Sequence, residues 1–144
     1  MEIRALKQED ISALAEVVWQ NYRSEQYRQS ALVDLNEAFS AGPYTPTYFV
    51  ADDAGVPVGF AGCMQSWMDN DVYEVFWVAV APGRQKQGIG KKLVAAAIAF
   101  AIERHGRLII LTAPAPDYYA ANFGFKLLER LPGRTDALMS LSLE

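Results

Sequence analysis

Apolar residues recur at two different spacings along the chain, and these spacings predict where helices and strands lie. Recurrence every three to four residues predicts a helix from Glu9 to about Tyr22, a weaker one from Ser24 to Ala41, and a long one from Gly88 that stops at Gly106. Pro116 to Asn122 is predicted as a short helix or turn. Runs of β-branched and aromatic residues predict seven strands, near residues 1–6, 47–51, 57–67, 73–81, 107–112, 125–131 and 137–143.

The order of these elements predicts the fold class. A strand, two helices, three strands, a helix, a strand, a short helix and two strands form a mixed α/β order. The apolar strand from Tyr73 to Ala81 leads into the Gly88 helix and then into another strand, which should give a right-handed parallel crossover. We therefore expect one mixed sheet with helices on both faces. The 144 residues, 51% of them hydrophobic, suit a single domain over residues 1–144.

Composition narrows the function classes. A net charge of -4 and a pI near 5.0 argue against nucleic acid as the main partner. Cys63 and His105 are the only cysteine and histidine, so neither an internal disulfide nor a Cys/His zinc site can form, and both residues are interpreted as structural. The longest apolar stretch, Leu93 to Ile102, is about half of what a membrane span needs, and MEIRALKQED does not match a signal peptide. We expect a cytoplasmic protein with no metal and no membrane partner.

The turn between the apolar strand and the long helix carries the clearest chemical signal. Gly88 and Gly90 lack Cβ atoms and permit positive φ, so consecutive backbone N–H groups can close around an anionic oxygen. The helix that begins beside them adds free N–H groups and a partial positive charge. The densest basic cluster of this acidic chain lies in the same segment: Arg84, Lys86, Lys91 and Lys92. The turn is therefore predicted to bind a ligand that carries phosphate groups.

The spacing of this turn identifies a family resemblance. Ile89 stands where the NTPase phosphate loop requires lysine, and Leu93 stands where the dinucleotide-binding fold has its third glycine. Gln85-Lys86-Gln87-Gly88-Ile89-Gly90 instead resembles the signature of the GNAT superfamily of N-acetyltransferases, which is Gln or Arg, two residues, Gly, one residue, and Gly or Ala. The resemblance extends from about Tyr48 to Leu143. It implies a GNAT-like fold with about six to seven strands and about four helices.

The resemblance also implies a cosubstrate, acetyl-coenzyme A, and the residues that hold it. The backbone of Val78, Ala79 and Val80 would pair with the pantetheine arm like an added strand. The pyrophosphate would be held by Gln85, Lys86, Gln87, Gly88, Ile89, Gly90 and Lys91. Asn122 would hydrogen-bond the arm, although asparagine before an aromatic-glycine turn is also an ordinary capping residue.

Two residues are candidates for the proton transfers that acetylation of an amine requires. Glu74 is the only charged residue of its strand and lies eleven positions before Gln85, where many GNAT enzymes resemble this chain in having a glutamate base. Its alternative interpretation is a solvated carboxylate at a strand end. Tyr119 is the candidate acid for the coenzyme A sulfur, although the usual family spacing falls on Ala120. Tyr118 is the competing choice, and core packing is an equal alternative for either ring.

The leading prediction is an N-acetyltransferase that moves acetyl from acetyl-coenzyme A to a primary amine by direct attack in a ternary complex. The alternative is a non-catalytic acyl-coenzyme A binding or sensing module, which would need neither Glu74 nor Tyr119. The acceptor could be a small molecule or a peptide amine, and exposed edge strands could support a homodimer. Aromatic residues that could shape the acceptor pocket are Trp19, Tyr22, Tyr44, Tyr48, Trp67 and Trp77.

Overall fold

Seven strands form one mixed sheet in the computed structural model, which describes residues 1–144. The strands are β1 (Glu2–Ala5), β2 (Thr47–Asp53), β3 (Val56–Gln65), β4 (Val72–Val80), β5 (Leu108–Ala113), β6 (Lys126–Arg130) and β7 (Ala137–Ser142). Their order across the sheet is β1-β2-β3-β4-β5-β7-β6. Only β4 and β5 are parallel, as expected for two strands joined through a helix, and every other neighbouring pair is antiparallel.

Four helices cover the two faces of this sheet: α1 (Ile11–Tyr22), α2 (Glu25–Glu37), α3 (Ile89–Glu103) and α4 (Pro116–Phe123). Side chains of a strand alternate between the faces, so Tyr48 packs with α1 and α2 whereas Ala51 packs with α3. The predicted mixed sheet with helices on both faces is therefore confirmed. No helix is both long enough and apolar enough to span a membrane.

Two predicted helix ends were wrong, each for a local reason. α2 ends at Glu37 rather than Ala41, because the residues after it turn and Phe39 is left half exposed. α3 ends at Glu103, and His105, not Gly106, adopts the left-handed conformation that follows the helix, with φ 64°. Gly106 is required for space instead, since a Cβ there would lie 2.7 Å from the Tyr73 ring.

The two central strands separate part-way along their length, and this feature positions the site. β4 and β5 pair only at Val72 with Leu108, Tyr73 with Ile109 and Glu74 with Ile110. β5 continues beside β7, while β4 remains paired with β3 through a register shift near Trp77, which has φ 52°. The gap that opens beyond Glu74 is called the fork below. It leaves one edge of β4 without a strand partner.

Candidate functional site

The turn after β4 forms the entrance to the fork. A 3₁₀ turn over Pro82–Arg84 ends the strand, and α3 begins at Ile89. Gly88 precedes the helix with φ 80°, as the sequence predicted, and Lys86 also has a positive φ of 63° although it has a side chain. Gly90 differs from the prediction, because it lies inside the first turn of α3 and its φ is not positive.

A cleft of about 450 Å³ lies against this turn and is called the anion cleft below. All but two of the predicted cofactor-binding residues line it. The exceptions are Ala79, which packs in the core on the α1 side of the sheet, and Gln87, whose side chain is exposed. The lining residues are Val78, Val80, Arg84, Gln85, Lys86, Gly88, Ile89, Gly90, Lys91, Tyr118 and Asn122.

Positive charge and free main-chain donors characterise the anion cleft. The side chains of Lys86 and Lys91 make neither a hydrogen bond nor an ion pair. Arg84 also lines the cleft, but its guanidinium binds Asp53 at 2.6 Å. The first N–H groups of α3 have no partner within the helix. The cleft is therefore built to bind an anion through two free ammonium groups and a helix N-terminus.

The Gln85 side chain serves the turn rather than the cleft. Its Nε2 donates to Asn21 Oδ1 at 2.8 Å and to the Val80 carbonyl at 3.1 Å. Asn21 donates from its own Nδ2 to that same carbonyl at 2.9 Å. This network joins the end of β4 to α1 and holds the turn in place. Because the Gln85 amide N–H groups are used within it, the geometry argues against a direct contact between the Gln85 side chain and a phosphate. No motif or spacing in the sequence marks Asn21 as part of the site.

The directions of the main-chain groups in β4 show which of the residues predicted to pair with the pantetheine arm are free to do so. Ala81 donates its N–H to the Val58 carbonyl at 2.8 Å, and Ala79 is in register with Phe60, so these residues direct their main-chain groups toward β3. By alternation, Val78 and Val80 direct theirs toward the fork. The Val80 carbonyl is already occupied by the two amide donors. Val78 is therefore the residue with both main-chain groups free to pair with a ligand, Val80 retains only its N–H, and Ala79 is committed to β3.

Two tyrosines at the start of α4 face different cavities. Tyr118 lines the anion cleft, whereas Tyr119 lines a second cavity of about 380 Å³ with Val78 of β4 and Thr112 of β5, called the fork cavity below. Burial raises the pKa of Tyr119 to about 12, so its hydroxyl stays protonated at neutral pH. Asn122 donates Nδ2 to the Tyr118 carbonyl at 2.9 Å, which leaves its Oδ1 as the free end.

Glu74 lies where the fork begins and makes no hydrogen bond or ion pair. Its half-buried side chain borders a small cavity of about 170 Å³ between β4 and β5, and also a larger one of about 390 Å³ on the α2 side of the sheet. The larger cavity is called the acidic pocket below. Its lining residues are Asp34, Glu37, Tyr44, Pro46, Tyr48, Met64, Glu74 and Phe76.

These four cavities adjoin one another along the fork. The anion cleft and the fork cavity share Val78, the fork cavity and the small cavity share Val75 and Thr112, and the small cavity and the acidic pocket share Glu74. This series of cavities, linked by shared lining residues, extends from the basic turn, past Tyr119, to Glu74 and the acidic pocket, and is called the path below. Glu74 and Tyr119 lie on the same path but border different cavities.

The predicted acceptor aromatics are divided between these cavities. Tyr44 and Tyr48 line the acidic pocket, and Tyr22 and Trp77 line the fork cavity. Trp67 stacks on Tyr44 with 4.3 Å between ring centroids and an interplanar angle of 12°. Trp19 lines neither of the two cavities. Asp34 and Glu37 also line the acidic pocket but were not predicted as site residues. α2 is a polar helix, and no spacing in it distinguishes these two carboxylates from its other polar side chains.

Comparison with known proteins identifies the family. A sequence model of the acetyltransferase (GNAT) family matches residues 11–125, and the chain therefore belongs to that family. It is 28% identical over 130 residues to an uncharacterized N-acetyltransferase of Archaeoglobus fulgidus, covering 85% of this chain and 88% of the relative. The GNAT-like fold predicted from the sequence is thereby confirmed.

Solved structures share the whole fold at low sequence identity. A Desulfovibrio desulfuricans protein assigned to the GNAT family superposes with a TM-score of 0.86 at 21% identity, over 99% of both chains. An aminoglycoside 6'-N-acetyltransferase complexed with coenzyme A superposes with a TM-score of 0.81 at 18% identity, over 100% of this chain and 98% of that one. At these identities the similarity establishes the fold.

Proposed function

We propose that this protein transfers the acetyl group of acetyl-coenzyme A to a primary amine, by direct attack in a ternary complex. The observation that carries the proposal is the series of cavities, linked by shared lining residues, from the anion cleft to Glu74. One end of this path suits a phosphate-bearing ligand and the other end borders an unpaired carboxylate. Membership of the acetyltransferase family supports the same reaction.

The residues of the anion cleft fit the pyrophosphate of coenzyme A. The positive φ of Gly88, the N-terminus of α3 and the free ammonium groups of Lys86 and Lys91 together favour a doubly charged anion. Val78 offers the free main-chain edge for the pantetheine arm, which is the recognition mode of an added strand. The coenzyme A found with the structurally similar aminoglycoside acetyltransferase is consistent with this choice of ligand.

Glu74 and Tyr119 divide the proton transfers. An amine acceptor is largely protonated at neutral pH, so Glu74 would remove a proton before the nitrogen attacks, either directly or through a water. The C–N bond forms as the C–S bond breaks, and the departing sulfur would take its proton from the Tyr119 hydroxyl. The nitrogen, positively charged after the attack, would lose its second proton to the tyrosinate or to water, which gives the neutral amide. This hydroxyl carries its proton at neutral pH, since the ordinary tyrosine pKa is about 10 and burial raises the pKa of Tyr119 further, to about 12.

The test is release of free thiol from acetyl-coenzyme A with a panel of primary amines. Glu74→Gln should lower kcat by roughly 10²- to 10⁴-fold because it removes the general base. Tyr119→Phe should lower kcat by about tenfold or more, and Tyr118→Phe by less. Tyr73→Phe, which deletes a hydroxyl that borders none of these cavities, is the control.

Two results would contradict parts of this proposal. If coenzyme A binds but no amine increases thiol release, the protein is an acyl-coenzyme A binding module rather than an enzyme. If Tyr118→Phe lowers kcat more than Tyr119→Phe, the proton donor is Tyr118. Binding of coenzyme A measured by calorimetry separates a folding defect from either outcome.

A further inference from the structure

The acidic pocket was not anticipated from the sequence, and its chemistry indicates what kind of amine it takes. Three carboxylates, Asp34, Glu37 and Glu74, line one cavity of about 390 Å³, and no lysine, arginine or histidine lines it. The volume lies within the range of sites for small organic ligands. No three His, Cys, Asp or Glu side chains are grouped closely enough to hold a metal ion, so the negative charge is spread around the cavity.

We infer, on the basis of the proposed function, that the acceptor is a small organic polycation. Its reacting primary amine would lie at Glu74, and a second ammonium group would be held by Asp34 and Glu37. The pocket borders the fork at Glu74, so an acceptor held there has its reacting end at the acetyl path. Linear polyamines and amino sugars both have this chemistry.

Asp34 is fixed in place before any ligand arrives. The Trp77 indole N–H donates to its Oδ2 at 2.7 Å, and this bond joins α2 to the irregular part of β4. Its other oxygen has no hydrogen-bond partner, and Glu37 accepts only one hydrogen bond, from Ser40 Oγ at 3.2 Å. Both carboxylates therefore retain lone pairs for a cation.

Tyr48 supplies an independent sign that the pocket is built for a ligand. Its side chain is 2% exposed and lines the pocket, and its hydroxyl is buried without a hydrogen-bond partner. Burial raises the pKa of Tyr48, and the charges of Asp34 and Glu37 raise it further, which locates the hydroxyl at the carboxylate end. An orphaned hydroxyl is costly in a folded protein, and an ammonium group would supply the missing partner.

Aromatic rings form the remaining wall. Tyr44 lines the pocket and is stacked on Trp67, which is 75% exposed, and the Phe76 ring lines the side next to the fork. Ring faces attract organic cations, and they also cover the methylene groups that join two amines. An aromatic wall combined with separated carboxylates suits a polycation with an organic frame better than an isolated inorganic cation.

A matched series of acceptors tests the inference. The three compounds n-butylamine, 1,4-diaminobutane and 4-aminobutanoate each carry a primary amine at one end of a four-carbon chain. Their far ends are, in that order, neutral, positive (a second primary amine) and negative. We expect kcat/KM to be roughly tenfold higher for the diamine than for the monoamine, and lowest for the amino acid. Spermidine and kanamycin then distinguish a linear polyamine from an amino sugar as the preferred frame.

Three variants connect the preference to the pocket. Asp34→Asn keeps an oxygen for the Trp77 bond but removes the charge, and should reduce the ratio of kcat/KM for the diamine to kcat/KM for n-butylamine by roughly tenfold. Tyr48→Phe should raise KM for the diamine without lowering the melting temperature, since it deletes an unpaired hydroxyl. Glu103→Gln, an equal charge change at an exposed site outside the pocket, is the control.

The possible failures are distinguishable. If all three linear amines react equally well, or if Asp34→Asn and Glu103→Gln act alike, the polycation inference is wrong although the enzyme proposal stands. If no amine reacts, calorimetry with 1,4-diaminobutane and n-butylamine still tests the pocket. Tighter binding of the diamine that Asp34→Asn abolishes supports the inference, and equal binding of the two amines overturns it.

Discussion

The two ends of the fork are built in opposite ways. The anion cleft is basic and depends largely on main-chain groups of one continuous segment, residues 85–91, with a helix N-terminus beside it. The acidic pocket is made of side chains that come from α2, from the segment before β2, and from β2, β3 and β4. One end therefore depends on local backbone conformation, and the other depends on how distant elements pack.

This difference explains what each end can recognise. A cradle of N–H groups and two ammonium groups suits any ligand with the same phosphate-bearing handle, whatever is attached to it. A pocket of side chains on separate elements can change its charge and shape one residue at a time without disturbing the turn. The acidic pocket is thus where proteins of one fold can differ.

The largest effect should come from crowding the acidic pocket at Gly62. A Cβ there would lie 2.7 Å from Tyr48 Cε1 and would overlap the Phe76 ring, and both rings line the pocket. Gly62→Ala should therefore lower the free energy of unfolding by about 1–3 kcal/mol and raise KM for the amine. The affinity for coenzyme A should change little, because the cleft is elsewhere. Chemical denaturation and thiol-release kinetics measure the two effects.

A rescue variant shows whether the packing explanation is right. Phe76→Leu shortens the ring that the new methyl group would meet, so the double variant should be more stable than the sum of the single changes predicts. If the changes in the free energy of unfolding are strictly additive, contact with the Phe76 ring is not what destabilises Gly62→Ala. A parallel loss of coenzyme A affinity would mean that the two ends of the fork are not independent.

A smaller effect is expected at the anion cleft, from Gly88→Ala. The φ of 80° at this position costs a residue with a side chain about 1–2 kcal/mol, which is roughly a 5- to 30-fold loss of coenzyme A affinity if the turn relaxes instead. Calorimetry with coenzyme A measures it. The KM for the amine should remain near its original value.

Gly90→Ala is the matched comparison within the same turn. Gly90 has no positive φ, and a Cβ there would meet only Val80 Cγ2 at an ordinary 3.8 Å. The variant should bind coenzyme A about as well as the original chain, and an alanine in the first turn of α3 should stabilise the helix slightly. Equal losses for Gly88→Ala and Gly90→Ala would show that bulk near the phosphate, not backbone conformation, limits binding.

The contrast between the two ends also explains how far the sequence could predict the molecule. Helical spacing, apolar strands and the glycine turn are local signals, so the mixed sheet and the turn at Gly88 could be predicted. The Gln85 side chain bonds Asn21, 64 positions earlier, and Asp34 bonds Trp77, 43 positions later. No periodicity encodes such pairs. The acidic pocket therefore became recognisable only when α2 was placed against β4.

Tyr118 and Tyr119 show a finer limit of the same kind. The family spacing placed a tyrosine at neither position, and both rings were candidates from the sequence. Adjacent helical residues point about 100° apart, so one ring can face the cleft and the other the fork cavity. Which ring faces which cavity depends on where α4 begins, and it begins at Pro116, directly after the Pro114-Ala115 segment.

The smallest effects should come from the charges at the mouth of the anion cleft. Lys86→Met and Lys91→Met each remove an exposed ammonium group that has no protein partner, and each should weaken coenzyme A binding by about two- to fivefold at low salt. Lys92 follows Lys91 in sequence but does not line the cleft, so Lys92→Met should change the affinity less.

Salt dependence sharpens this last comparison, because the two ends of the fork carry opposite charge. The Debye length falls from about 10 Å at 0.1 M to about 3 Å at 1 M ionic strength, so added salt should weaken both coenzyme A and diamine binding to the original chain. Lys86→Met should flatten the salt dependence for coenzyme A alone, and Asp34→Asn should flatten it for 1,4-diaminobutane alone. If either variant changes both salt dependences equally, the protein responds through its net charge, and the division into a basic and an acidic end is wrong.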